Sequence, residues 1–562
     1  MNRRFGPTRL LALALVMTLG FAAAACSSSK SDTATTNTSE AAATVPEGGT
    51  LIDGAQLQVD NLTSYDPGQV QTLDESQVTT AIYDGLTEFD FTDKTNPVLK
   101  GQVASKWESN ADATEFTFTI KPGQTFSNGD PVLPSSFKYA WNRNGQADFA
   151  SPYGYLINYV KGGKDLQDGT IKDLGDAIVA DDTAMTLKVT LESPQADFPS
   201  IVSHPFFGPL PEKVVSQLTD QTQWNKMIMI GNGPFKMEAP ANEQQVVLVR
   251  NDSWAGDVMG NTKAKLDKII FKVGKDVESS YTDFEAGNTM TATIPSGQFG
   301  PATQTYGNTV KSPTLGAYFF DFGFTDPQIA GDKNVLLRQA ISQAINRDEI
   351  NNKVYEGTRV IPTGVTPPGI PGFKEGICKY CAYDQAAAQQ AFDDWKAAGN
   401  SLSGPITLDY NTGGSHQDVV AIVQENLKAI GIDSTPNPVA EKYFGTMADG
   451  GCHVCRAGWY ADYPTYGNFM FDLYSTASVG GNNNGSFSDP KFDALVAQAQ
   501  AEPDDTKRAE LYQQSEDYLL NTAIATIPIN WYTGDQVYSD KVVNYDQPPL
   551  GIIQWQTVGV KA

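Results

Sequence analysis

Apolar positions recur along this chain with two different periods. Phe116, Phe118 and Ile120 alternate with threonines, the period-two pattern of a half-buried strand, and Pro122-Gly123 and Asn128-Gly129 then supply turns. A hairpin region is therefore predicted within residues 76–143. Further on, Leu336, Leu337, Ala340, Ile341, Ala344 and Ile345 return at helical spacing. So do Val419, Val420, Val423, Leu427 and Ile430, with Gly431 placed to cap the helix end. A short apolar run, Ile406-Thr-Leu408, precedes this second helix, and the order strand, helix, strand predicts α/β lobes.

The N-terminus has a grammar of its own. Arg3, Arg4 and Arg9 precede an apolar-and-small run from Leu10 to Ala25 that stops at Ser27–Ser29, too short for a membrane-spanning helix, so residues 1–25 are expected to be a signal peptide. The run ends Phe21-Ala-Ala-Ala-Ala-Cys26, which resembles the lipobox of bacterial lipoproteins, although Ala23 stands where leucine is commoner. Cys26 is then the expected site of lipidation, with plain secretion as the alternative. Residues 26–46 are polar and lack large apolar side chains to bury, as a tether would be. The remaining chain, from about residue 47 to 562, exceeds one typical core and requires at least two lobes. The expected location is extracytoplasmic, on the outer face of the plasma membrane, held there by the lipid alone.

Charge narrows the partners. The 65 acidic against 40 basic residues leave a formal net charge of −25, which repels nucleic acid and anionic membrane surfaces. The acidic residues are scattered, so they describe a solvated surface and do not name a ligand. Catalysis has little to work with: the three histidines, His204, His416 and His453, sit in no recognisable nucleophile, metal or general-base motif. No catalytic residue, resident metal or cofactor is expected.

Cys378-Lys-Tyr-Cys381 and Cys452-His-Val-Cys455 are two Cys-x-x-Cys units. Their separation is far longer than a compact zinc ribbon uses, and an oxidising compartment favours disulfides; a zinc or thiol-redox site is the alternative. If residues 452–455 belong to an extended strand, Cys452 and Cys455 lie about 10 Å apart, beyond the reach of a bridge. Crosslinks between the two units are therefore expected.

Several segments, read in order, resemble the extracytoplasmic solute-binding proteins of the oligopeptide, dipeptide and nickel class. They are Ile82-Tyr-Asp-Gly-Leu86, Val98 through Trp107, Thr117 through Gly129, Gly231-Asn-Gly-Pro-Phe235, Leu248-Val-Arg-Asn251 with Trp254, and Arg338-Gln-Ala-Ile341 with Asn346-Arg347. Arg456-Ala-Gly-Trp-Tyr-Ala-Asp-Tyr463 resembles the strand that lines the cleft of oligopeptide-binding members. The resemblance implies a two-lobed periplasmic-binding-protein-like α/β fold of type II, in the large peptide-binding class. Lobe I would span 47–312 and 530–562, with an extra subdomain at about 88–208, and lobe II would span 313–529.

It also implies roles. Asp462 would take the α-ammonium of a peptide, since a terminus stripped of water needs a hydrogen-bonded countercharge. Arg456 would offer its guanidinium to a peptide carboxylate. Gly458 and Ala461, beside Trp459 and Tyr460, would keep the strand thin enough for a peptide to lie along it. Tyr153, in Ala150-Ser-Pro-Tyr153, is a candidate clamp from lobe I, and Asp321 a candidate near the second ligand position. The bland reading of the 456–463 segment is a buried strand whose Arg456 and Asp462 satisfy each other. The implied protein is a monomer that closes on a peptide and is recognised by an ABC permease with its ATPase. The alternatives are the same fold binding a sugar, a nickel complex or a signalling molecule, and a thiol-redox or metal-storage lipoprotein.

Overall fold

A computed structural model describes residues 45–561. The expectations for residues 1–25, for Cys26 and for all but the end of the 26–46 tether lie outside the described residues. Among the described residues no helix is long and apolar enough to cross a membrane.

Three large hydrophobic clusters organise the chain, one in the first lobe and one on each face of the second lobe's sheet. The first joins Leu51, Phe118, Trp141, Phe207 and Phe271 to Ile553, Trp555 and Val558 near the C-terminus. It sits among two four-stranded sheets. One contains Thr50–Gln58, Lys268–Gly274, Gln245–Arg250 and Phe235–Met237, in that spatial order. The other contains Ala104–Ser109, Glu115–Ile120, Thr186–Thr190 and Ile178–Asp181. Glu115–Ile120 alternates buried and half-buried positions, as the period-two pattern predicts.

The second lobe is a five-stranded sheet covered on both faces. Its order is Ser434–Val439, Ile406–Asn411, Val454–Tyr460, Pro313–Phe322 and Thr526–Thr533. One face packs the Val335–Ala344, Gln385–Ala397 and His416–Ala429 helices, through Leu337, Ile341, Phe392, Val419 and Leu427. The opposite face packs the helices Gly467–Tyr474, Pro490–Ala501 and Asp505–Asp517. Both helices read from periodicity are present, and Gly431 follows the second with φ +80, the left-handed cap conformation. After Thr533 the chain leaves this sheet for a small one, where Gln536–Tyr538 lies between Thr291–Thr293 and Thr309–Val310.

The short motifs turn out to be one structural knot. The main-chain N–H of Gly233 donates to the Ile82 carbonyl, and a Cβ on Gly231 would sit 2.2 Å from that same oxygen, so only glycine admits this approach. Asn251 donates to the Gly233 carbonyl, and the Trp254 indole donates to Asp84. The Arg338 and Arg347 motif has another logic. Each arginine is 2% exposed and has no carboxylate partner among the described residues. Arg338 donates to the carbonyls of Ile329, Gly331, Ala523 and Ile524, and Arg347 to those of Ser342, Ile345 and Pro528. These guanidinium groups fasten helices to the Thr526–Thr533 strand and the turn before it.

The cysteine pairing corrects the expectation. Bridges form within each unit, Cys378 to Cys381 and Cys452 to Cys455, with Cα atoms 5.5 and 5.3 Å apart. The extended-strand premise fails because regular strand begins only at Val454. Cys452 follows a distorted helical turn at Met447–Gly451, so the backbone curls and brings the two cysteines together. Non-reducing peptide mapping is expected to return only the two within-unit bridges; a fragment joining 378 or 381 to 452 or 455 would contradict this.

Candidate ligand-binding site

The Val454–Tyr460 strand is central in the second sheet but unevenly partnered. On one side it pairs with Pro313–Phe322 along its whole length, from Phe322↔Val454 to Gly316↔Tyr460. On the other side, Ile406–Asn411 pairs only with Val454 and Cys455. From Arg456 to Tyr460 one backbone edge therefore has no strand beside it, although the Tyr443 hydroxyl donates to the Arg456 carbonyl at 2.7 Å. Backbone N–H and C=O groups require partners, so such an edge takes water or an added strand.

Side chains alternate about this edge. Arg456 lies over the ring of Tyr318, with its guanidinium carbon 4.8 Å from the centroid, and donates to Asn411 Oδ1 at 3.2 Å. Its Nε is buried without a partner. Tyr318 in turn meets His416 Nδ1 at 3.2 Å. Burial, reinforced by Arg456, pushes the His416 imidazole down to about 4, so it is neutral at physiological pH. No carboxylate pairs with Arg456 among the described residues, and Asp462 in particular does not.

Asp462 lies just past the strand end and has its own company. Tyr155 donates to its Oδ2 at 2.6 Å and Asn468 at 3.2 Å, while its main-chain N–H donates to Asn468 Oδ1. Burial pushes the carboxyl up to about 6, against hydrogen bonds from Tyr155, Asn468 and Tyr153 that pull it down. It borders a cavity of about 120 Å³ walled by Phe89, Phe91, Pro205, Pro548, Leu550 and Ile553. The strand thus has a cation without a counter-ion toward one end and, just beyond the other, an aspartate that borders a hollow.

Against this geometry, the family model described as Bacterial extracellular solute-binding proteins, family 5 Middle, matches residues 98–481. The chain belongs to this family. It is 29% identical over 476 residues to the oligopeptide-binding protein OppA of Bacillus subtilis, covering 82% of this chain and 84% of that one. It is 28% identical over 528 residues to the periplasmic oligopeptide-binding protein OppA of Salmonella typhimurium, covering 90% and 92%. Among solved structures, the unliganded open form of the periplasmic murein tripeptide binding protein MppA superposes with TM-score 0.74 at 24% identity, covering 92% of this chain and 97% of that one. Haemophilus influenzae OppA in complex with RPPGFSPFR gives 0.72 at 24% identity, covering 92% and 99%. At that identity the two structures speak for the fold.

Within this family-5 solute-binding protein the expected site residues separate. Asp462 and Tyr153 meet across the lobes, with the Tyr153 ring 4.4 Å from that of His204. Arg456 and Tyr460 flank the free edge, and Tyr460 is 42% exposed. Trp459 and Ala461 turn to the face covered by the Gly467–Tyr474 helix, where the Trp459 indole donates to Asn468 at 2.9 Å. Asp321 is further away still. It pairs with Cys455 at the far end of the strand and is 4% exposed, and burial raises its carboxyl to about 7. Gly458 makes room for a tyrosine: a Cβ there would stand 2.4 Å from the Tyr532 hydroxyl. Sequence reasoning missed Tyr155, Asn468, Tyr318 and Tyr532. Only Tyr155 carried a signal, lying two residues beyond Tyr153 in an aromatic run.

Gly458→Ala is expected to displace Tyr532 and destabilise the protein by about 1–3 kcal/mol, the range for overpacking. Chemical denaturation at constant slope checks this; an unchanged midpoint would mean that Tyr532 can move freely.

Proposed function

We propose that this solute-binding protein captures extended peptides between its lobes and hands them to an ABC permease powered by its ATPase. The observation that carries the reading is the free backbone edge from Arg456 to Tyr460, set between an unpaired guanidinium and a carboxyl. An extended peptide adds to such an edge through its main chain, which gives affinity with little demand on side chains. Asp462 receives the α-ammonium, with Tyr155 and Asn468 orienting the carboxylate. Arg456 receives a carboxylate from ligands long enough to reach it, and Tyr153 closes from the first lobe. The family relatives named for oligopeptides support the same class of ligand.

Closure follows from geometry. A ligand seated on the second-lobe strand acquires first-lobe contacts only when the lobes meet, so it favours the closed form by its differential affinity. The permease then recognises that closed form. We place the protein on the outer face of the plasma membrane, tethered through a lipid on Cys26.

Native mass spectrometry of the chain begun after Cys26 is expected to show adducts at short-peptide masses, lost in Asp462→Ala. Removing one member of a buried ion pair costs about 3–5 kcal/mol, so tripeptide affinity in that variant is expected to fall at least a hundredfold. A single non-peptide mass indifferent to Asp462 would replace the peptide with a sugar, a metal complex or a signalling molecule.

Acidity supplies a separate check. With its carboxyl raised to about 6, Asp462 is ionised above that pH and holds a proton below it. Binding an ammonium must then expel that proton, so affinity is expected to weaken up to tenfold per pH unit below about 6. Titration calorimetry of a tripeptide across pH 4.5–7.5 reads this, and Asp462→Asn should flatten the profile.

A further inference from the structure

Two of the hydrogen bonds joining the lobes come from one short element. The turn of helix Gly154–Tyr159, on the first core, presents Tyr155 and Tyr159, and each hydroxyl donates to a different carboxylate of the second lobe. Tyr155 reaches Asp462 at 2.6 Å, and Tyr159 reaches Asp472 Oδ1 at 2.8 Å. Asp472 lies on the Gly467–Tyr474 helix, is 2% exposed and touches no part of the free strand edge. Its other oxygen accepts from Tyr463 at 2.6 Å and from Asn468 at 2.9 Å. Asn468 is fully committed: its amide nitrogen donates to both Asp462 and Asp472, and its oxygen accepts from the Asp462 main chain and the Trp459 indole. Tyr463, which leaves the second-lobe strand, is buried in the first core, and its hydroxyl lies 3.2 Å from that of Tyr159.

The two tyrosines therefore stand in different relations to a ligand. Tyr155 shares its carboxylate with whatever cation Asp462 receives. Tyr159 does not, because every acceptor position in use on Asp472 is taken by the protein.

We propose that Tyr159 and Asp472 form a closure clasp, a lobe-to-lobe hydrogen bond independent of the ligand that sets how much of the free protein is closed. Donor and acceptor belong to different lobes, so the bond forms only when the lobes meet, and opening returns both groups to water. Burial raises the Asp472 carboxyl to about 7, so it is above that pH that the acceptor is charged and the bond is of the stronger kind. Whatever closure free energy it contributes is energy that no ligand has to provide, and it multiplies the affinity of all ligands by one factor. A second bridge stands farther along the same interface: Arg508 Nε meets Asp197 Oδ1 at 2.9 Å, with the Ala196 N–H donating to the Gln500 carbonyl at 2.8 Å. This pair lines the wall of a groove of about 890 Å³ and is a separate contribution to closure that Tyr159→Phe leaves in place.

Small-angle scattering of the ligand-free protein tests this without assuming any ligand. Tyr159→Phe keeps the ring against Phe471, 5.9 Å away, and removes only the hydroxyl. It is expected to enlarge the radius of gyration of the free protein by shifting it toward the open form. The affinities of Ala-Ala-Ala and Lys-Ala-Ala should both fall by the same factor, about tenfold, largely through faster release. Asp472→Asn sets an amide donor against either Tyr159 or the Asn468 donor and should also open the free protein, and combining the two should cost less than the product of the single effects. Unchanged ligand-free scattering in Tyr159→Phe overturns the proposal, and so does a loss confined to one peptide, which would make Tyr159 a ligand contact. If neither peptide binds any form of the protein, the peptide reading fails while the scattering still decides the clasp.

Discussion

A backbone edge without a neighbour, held inside a sheet that is otherwise covered on both faces, is the constraint on which the rest of this molecule depends. Strands normally lose such edges to a partner, a barrel or a covering helix. Here Ile406–Asn411 runs beside Val454–Tyr460 for two residues and then diverges, while Pro313–Phe322 stays paired to the end. The opening is therefore built by register. Around it the protein places glycine at 458, an aromatic floor from Tyr318 and Tyr532, and polar groups with spare capacity. The lobes supply the roof.

The treatment of buried cations shows which of them are structural. Arg338 and Arg347 are sealed, and each is surrounded by carbonyl oxygens that the folded chain itself provides. Burial draws Arg347 down to about 9 and Arg338 to about 10, yet both remain charged at neutral pH. Arg456 differs in kind: it has a ring beneath it, one amide oxygen beside it and an unpartnered Nε. An ion left this incomplete is poorly compensated unless something else arrives. The same contrast separates Asp472, bonded by protein donors on both oxygens, from Asp462, which borders a hollow and accepts from Tyr155 and Asn468 on one oxygen.

Much of this was legible in the residues. The period-two run at 116–120 and the helical repeats near 340 and 425 depend on local geometry, and local geometry survives in any fold that buries one face. The glycine of Gly231-Asn-Gly-Pro-Phe235 marks a close backbone approach, though what approaches, the Ile82 carbonyl, is 149 residues away in sequence. Other features were not legible. The cysteine bridges were misassigned because one distorted turn at Met447–Gly451 changes the path of the backbone, and no spacing rule records a turn of that kind. Trp459 and Ala461 were grouped with Arg456 by adjacency, yet alternation along a strand sends neighbours to opposite faces.

The sequence by itself determined the α/β character, the helices and strands that carry the strongest periods, and the short segment that bears Arg456 and Asp462. It did so because hydrophobic period and glycine placement act over a few residues. Tertiary structure alone decided that Arg456 and Asp462 stay apart, that Asp321 lies in the core, and that Tyr155 and Tyr159 reach carboxylates about three hundred residues away. Those outcomes depend on strand register and on how the two lobes meet. Neither quantity is stored in any local stretch of chain, because each is fixed only when distant surfaces bury one another.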